Sequence, residues 1–167
     1  MSKRSKITFR EATPGDIEEL VPRLRQADID ECEALFGRDT VLATALHGLR
    51  PDGVAFVAVR EGITIAVFGV CPGEKPGHGV PWMVGTNELD KCGRELMAEA
   101  RSCLNVWHRF YPTLMNVVDA RNTKSIRWLK RLGFTLRAPE PMGVGGLLFH
   151  PFDKTDLVIP LQSQIAA

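Results

Sequence analysis

The sequence is short of the features that assign a function quickly. It holds one tyrosine and four cysteines in 167 residues. The cysteines (Cys32, Cys71, Cys92, Cys103) form no C-x-x-C pair and have no histidine at ligand spacing. That excludes the common zinc patterns and reads as small buried thiols in a reducing compartment; no metal site is expected. No apolar run approaches the ~20 residues of a membrane span. Charge of one sign is lacking too: 21 basic residues face 20 acidic ones, for a net charge of +1. Bulk charge therefore gives no footing for nucleic acid as the main partner. The basic start, residues 1–6, runs into Ile7-Thr-Phe-Arg-Glu11 and not into an apolar signal core. The expectation is a chain that stays in the compartment where it is made, a cytoplasm. Internal repeats and low-complexity segments are absent.

What is present is an ordinary globular composition, 44% hydrophobic and 25% charged. The length fits one domain on the prior of roughly 100–200 residues per domain. Such a chain buries enough surface to need no disulfide or metal staple. We read a single domain over 1–167, with its core over 7–152 and a short tail over 153–167.

The first strand is expected over Ile7–Ala12. Thr13 is an N-cap candidate and Pro14 suits the first helical position. Pro22 predicts a kink or break. Ile29 to Phe36 continues helically to Gly37, and Asp39 is the expected cap of another short helix. Val54–Arg60 and Ile63–Val70, joined by Glu61-Gly62, predict a hairpin. A loop rich in glycine and proline follows, then a strand over Val80–Gly85, with Pro81 expected at its start or on an edge. One long helix is expected over Asn87–Phe110, capped by Thr86 or Asn87. Its apolar stripe is Leu89, Cys92, Leu96, Ala100, Cys103, Trp107 and Phe110. A strand over Leu114–Asp119, a helix from the cap Asn122 to Leu132 with Gly133 as its stop, and strands from Phe134 and over Leu147–Phe152 complete the reading. Pro139 to Gly146 is read as a loop. The predicted order is β-α-α-β-β-β-α-β-α-β-β, an α/β fold on a mixed sheet with helices on both faces.

That order, with Asn122, Ser125, Gly133 and Phe134 at the spacing of a late helix-capping signature, resembles the GNAT N-acetyltransferase superfamily. The resemblance spans Ile7 to about Phe152. The segments Pro81–Thr86, Asn116–Asn122 and Ser125–Phe134, with the glycine-rich stretch before Phe149–Phe152, look like a GNAT-like family of tailed phages. That family includes the internal virion protein A of short-tailed phages. The resemblance implies a phage-encoded protein, present in the host cytoplasm during infection and packaged in or attached to the particle. Other virion proteins would then be its partners.

The superfamily resemblance also implies where acetyl-CoA would lie if binding is retained: Met83, Val84, Gly85, Thr86, Asn122 and Ser125. Two parts of that machinery are missing. The pyrophosphate motif R-x-x-G-x-G/A has no counterpart in Gly85-Thr-Asn-Glu-Leu-Asp-Lys-Cys-Gly93, where Glu88 and Asp90 add negative charge. Losing two charge-assisted hydrogen bonds, each roughly 1.5–3 kcal/mol, weakens binding about 10²–10⁴-fold. The superfamily's general-acid tyrosine falls on Leu129, beside Trp128. The histidines His47, His78, His108 and His150 are scattered, and Asp119 reads as a turn or cap partner. No catalytic residue is assigned.

One local charge feature remains. Arg121, Lys124, Arg127, Lys130, Arg131 and Arg137 come with no acid among them. Arg121, Lys124, Arg127 and Arg131 are therefore candidates for partner binding. Two readings stand. In the first, the scaffold has lost its acyl-CoA site, needs no cofactor and serves as a structural or interaction protein. In the second, it is an acetyl-CoA-dependent enzyme acting on a small amine or a host protein. The second requires free N–H groups from Gly85 to Glu88 facing the cleft, and a cleft not filled by Trp82, Met83 or Trp128.

Overall fold

The structure is a computed structural model and describes residues 6–156. Eight strands form one mixed sheet in the order β1-β2-β3-β4-β5-β8-β6, with β7 paired on β8. The strands are β1 (Ile7–Glu11), β2 (Val54–Arg60), β3 (Ile63–Pro72), β4 (His78–Gly85), β5 (Thr113–Asp119), β6 (Thr135–Leu136), β7 (Glu140–Met142) and β8 (Leu147–Thr155). The helices are α1 (Pro14–Leu20), α2 (Gln26–Phe36), α3 (Val41–His47), α4 (Gly93–Trp107) and α5 (Thr123–Arg131).

Alternation along β3 divides the core into two layers. Val67 packs with Ile17, Leu20, Val41 and Ala45, from α1 and α3. Its neighbours Ala66 and Phe68 pack with Leu96, Leu104 and Trp107 of α4 and with Leu132 and Phe134. Helices thus cover both faces, as the pattern implies.

Local chemistry explains most boundaries. Asp16 accepts hydrogen bonds from the Thr13 amide and hydroxyl at 2.8 and 2.9 Å, which fixes the start of α1. Pro22 ends α1 in a 3₁₀ turn over Val21–Arg23. Glu61 and Gly62 take φ of 53° and 77°, the left-handed pair that suits a two-residue hairpin. Asn122 Oδ1 accepts from the Ser125 amide at 3.2 Å and caps α5, and Gly133 leaves it at φ 88°.

Several expectations are corrected. Thr40, not Asp39, caps α3; Asp39 turns the chain at φ 61° just before it. The long helix is two pieces, a 3₁₀ turn over Asn87–Lys91 and then α4 from Gly93, with Cys92 between them at φ −121°. Its apolar stripe continues through the break because Leu89 and Cys92 reach the same core as Leu96. Glu140–Met142 is a strand and not loop. β8 runs on to Thr155, past the expected core boundary. The tail expected over 153–167 is therefore strand as far as Thr155; its part beyond residue 156 and residues 1–5 of the basic start lie outside the described residues. Pro81 lies inside β4, opposite Val70 of β3, and not at the strand's start. Its carbonyl accepts from Asn116 Nδ2 of β5 at 2.9 Å. Carbonyl and amide positions of one strand residue point the same way, so the missing N–H faces β5 and costs no ladder bond to β3.

Candidate ligand cleft between β4 and β5

β4 and β5 are parallel neighbours, yet they pair only at His78–Thr113 and Gly79–Leu114. Gly79 makes that approach possible: a Cβ there would lie 2.7 Å from the Tyr111 ring and 2.9 Å from Leu114 Cδ2. Past this apex the Asn116–Pro81 bond is the last link, and the strands part. The opening is a cleft of about 670 Å³. Trp82, Met83 and Val84 line one wall and Asn116, Val117 and Val118 the other. Leu96, Ala100, Trp128 and Leu129 border it on the α4–α5 side, and Asp28, Glu31, Thr44 and His47 on the α2–α3 side.

Sequence order, splayed parallel strands and helix placement together match a known architecture. Solved structures agree. A GNAT-family acetyltransferase from Streptococcus pneumoniae superposes with a TM-score of 0.61 at 17% identity, covering 90% of this chain and all of that one. Ard1 from Thermoplasma volcanium gives 0.67 at 20% identity, covering 91% and 99%. The ribosomal-protein-S18-alanine N-acetyltransferase from Escherichia coli gives 0.66 at 14% identity, covering 93% and 97%. This is the GNAT fold. No family model and no curated protein sequence matches the chain.

Within that GNAT fold, α2 bridges the open end of the cleft. Asp28 and Glu31 stand one turn apart and reach opposite walls. Asp28 Oδ2 accepts the Gly85 amide of β4 at 2.8 Å, and Arg25 holds its Oδ1 at 2.7 Å. The Arg25 amide donates to the Gly85 carbonyl at 2.9 Å. Glu31 Oε2 accepts the Asp119 amide of β5 at 3.1 Å and Asn122 Nδ2 at 3.3 Å. α2 is thus a strap whose two carboxylates tie β4 to the end of β5. Burial pushes the Glu31 carboxyl up to about 7; its two hydrogen bonds oppose the rise, and the charges of Asp28 and Asp119 add to it.

The strap changes what the candidate acetyl-CoA residues can do. Met83, Val84 and Ser125 line the cleft. The expectation of free N–H groups from Gly85 to Glu88 holds only for Asn87, whose amide has no acceptor among the described residues. The Gly85 amide is held by Asp28, the Thr86 amide by the Ile65 carbonyl at 2.9 Å, and the Glu88 amide by Thr86 Oγ1 at 3.3 Å. Asn122 is spent on Ser125 and Glu31. Three of the four amides from Gly85 to Glu88 are therefore taken, one of them by a carboxylate. Glu88 and Asp90 contribute less than their sequence position implied. Glu88 pairs with Arg60 and Lys91, and Asp90 with Lys124. Trp82, Met83 and Trp128 line the cleft without filling it.

The basic candidates are divided. Arg121 is bound by Asp119 at 2.6 Å and Lys124 by Asp90 at 2.7 Å. Burial raises the Asp119 carboxyl, but its bonds to Arg121 outweigh that and hold it below the usual range. Arg137 pairs with Asp153. Arg127, Lys130 and Arg131 have no carboxylate partner among the described residues. The histidines stay apart: His78 meets the Met115 sulfur, His150 the Arg137 carbonyl, and buried His108 the Tyr111 carbonyl. Tyr111 packs at the cleft's apex and not beside Leu129. Cys71, Cys92 and Cys103 are buried, and burial raises each thiol. Cys32 is only partly buried, at the edge of the cleft.

Sequence reasoning missed Asp28 and Glu31, and a signal for them existed. Asp28, Glu31, Cys32 and Leu35 fall at i, i+3, i+4 and i+7, the spacing of a buried stripe. Two acids in such a stripe mark carboxylates that need buried donors.

Proposed function

We propose that this chain is a GNAT-fold protein that works by binding and has given up the acyl-CoA site, serving as a structural or interaction protein. One observation carries the reading: the Gly85 amide, at the end of β4, donates to a buried, arginine-paired Asp28 carboxylate. A ligand phosphate there would have to displace Asp28, leave Arg25 without its partner and meet a carboxylate of its own sign. That opposes binding by several kcal/mol. The phage likeness of the sequence supplies the setting, a particle-associated protein whose partners are other virion proteins.

Titration calorimetry with acetyl-CoA and with CoA tests the reading. No heat is expected up to millimolar ligand, and micromolar binding of either would overturn it. Mass spectrometry of purified particles of the encoding phage tests the setting. Peptides of this chain at near-stoichiometric yield are expected, and their absence would remove the particle from the proposal.

A second reading, acetyl transfer to a small amine or host protein, draws on one observation. The Glu31 carboxyl, raised to about 7 beside an open cleft, lies in the range of a general base. It falls with the first titration, since it needs the cofactor to bind.

A further inference from the structure

A second groove, of about 700 Å³, lies between α4 and α5. Arg94, Met97, Ala98 and Arg101 fall at i, i+3, i+4 and i+7 on α4 and form one wall. Trp128 and Arg131 border it from α5, and Ile7 and Arg60 from the β1–β2 edge of the sheet.

Five cations line this groove against one acid, Glu95. Arg60 and Lys91 are matched to Glu88. Arg94, Arg101 and Arg131 have no carboxylate partner among the described residues. Arg101 reaches the Arg131 carbonyl at 3.5 Å, so its guanidinium extends toward α5 with its charge unanswered. The exposed outer face of α5 continues the patch with Arg127 and Lys130, also without a carboxylate among the described residues. The chain as a whole is nearly neutral, at +1, so this face is a local excess of like charge. Like charges gathered on one face repel, and an anion between them relieves the repulsion.

The surface between the arginines selects the kind of anion. Met97, Ala98 and half-buried Trp128 give it an apolar floor. A single nucleic-acid strand calls for several stacking aromatics along a phosphate track, and Trp128 is the one aromatic here. Arginine, methionine and tryptophan together are the composition of a protein-binding patch. Arginine also pairs with carboxylates through two parallel hydrogen bonds, which suits acidic side chains.

We propose that the α4–α5 groove docks an acidic segment of a protein partner. Its carboxylates pair with Arg94, Arg101 and Arg131, and its apolar side chains lie on Met97, Ala98 and Trp128. The inference gives the interaction role proposed above a surface and a partner chemistry, and it rests on that role. It moves the docking surface away from Arg121 and Lys124, which Asp119 and Asp90 already hold.

The test is fluorescence anisotropy on the full chain with a labelled acidic amphipathic peptide, EDLEDLEDLEDL. A serine-for-leucine analogue and an oligothymidylate of equal charge are run beside it. The peptide is expected to bind at micromolar concentration, and the serine analogue at least fivefold more weakly. Arg94 and Arg101 are exposed, so removing them spares the core. Arg94→Ser with Arg101→Ser is expected to weaken peptide binding at least tenfold. Arg50→Ser with Arg137→Ser removes the same charge from two ion pairs outside the groove and should change it less than twofold. No binding at millimolar peptide would overturn the proposal, as would equal weakening by the two double variants or equal affinity for the serine analogue. Tighter binding of the oligothymidylate through Arg94 and Arg101 would overturn it in favour of nucleic acid. Heat with acetyl-CoA in a parallel titration would instead overturn the closed-site reading, so the two failures are told apart.

Discussion

The two ends of the cleft are built from opposite materials. At the apex, strands meet because Gly79 has no side chain and Tyr111 lies against it. Close fit and backbone pairing at His78–Thr113 and Gly79–Leu114 set the geometry there, with no ion pair among the described residues. At the open end, Asp28 and Glu31 tie β4 and β5 by accepting hydrogen bonds from backbone amides. Sterics make one end indifferent to pH and salt, and electrostatics make the other responsive. A single cleft thus has a fixed hinge and a titratable clasp.

Substitutions should separate the ends. Asp28→Ala is expected to cost most, about 3–5 kcal/mol, because it strands a nearly buried Arg25 guanidinium and leaves the Gly85 amide without its acceptor. Urea unfolding measures it, and Asp28→Asn should recover part of the loss.

The clasp should next show itself in the pH dependence of stability. The Glu31 carboxyl titrates near 7 in the folded chain and near 4.5 unfolded, so the folded chain holds the extra proton between those values. Its contribution is complete below pH 4.5 and is lost as pH rises through 7, about 3 kcal/mol in all. Urea midpoints at pH 5 and pH 8 should differ for the wild type, and the difference should shrink in Glu31→Gln. Asp16, held near 2 chiefly by Arg10, works in the other direction and is felt only as pH falls below 4.

At the apex, Gly79→Ala drives a Cβ into the Tyr111 ring and Leu114, for about 1–3 kcal/mol. Its cost should be the same at pH 5 and pH 8; a pH-dependent cost would break the contrast between the ends. The smallest effect is expected for Lys124→Ala. Its ion pair with Asp90 is more than half exposed on one side and half exposed on the other. Thermal unfolding should register under about 1 kcal/mol, and less at high salt.

The reach of sequence reasoning follows the range of the interactions. Hairpin, caps and stops were legible because Glu61-Gly62, Asn122 and Gly133 act on residues within a few positions. Most of the order of elements was legible because period and punctuation are local; the structure adds a third helix before β2 and the short strand β7. The break at Cys92 was hidden because the apolar stripe runs through it unbroken. Pro81 was expected at the start of its strand or on an edge; it lies inside β4 with its nitrogen on the side where the ladder to β5 is missing, and only the tertiary structure shows that this side is open. The clasp was hidden for the same reason. Asp28 finds its donor 57 positions away and Glu31 finds one 88 positions away. A helix rich in acids reads locally as a solvated face, although two of these acids occupy the buried stripe. The missing pyrophosphate motif was visible, but what stands in its place was not.

Pro81 also bears on kinetics. Because its imide nitrogen faces β5, that rung of a ladder across the cleft can never form. That position offers β5 no backbone donor, and an extended peptide gains none at that rung. A small molecule entering the cleft would not wait for backbone separation. Its observed association rate should rise linearly with concentration, with no plateau set by a prior opening step.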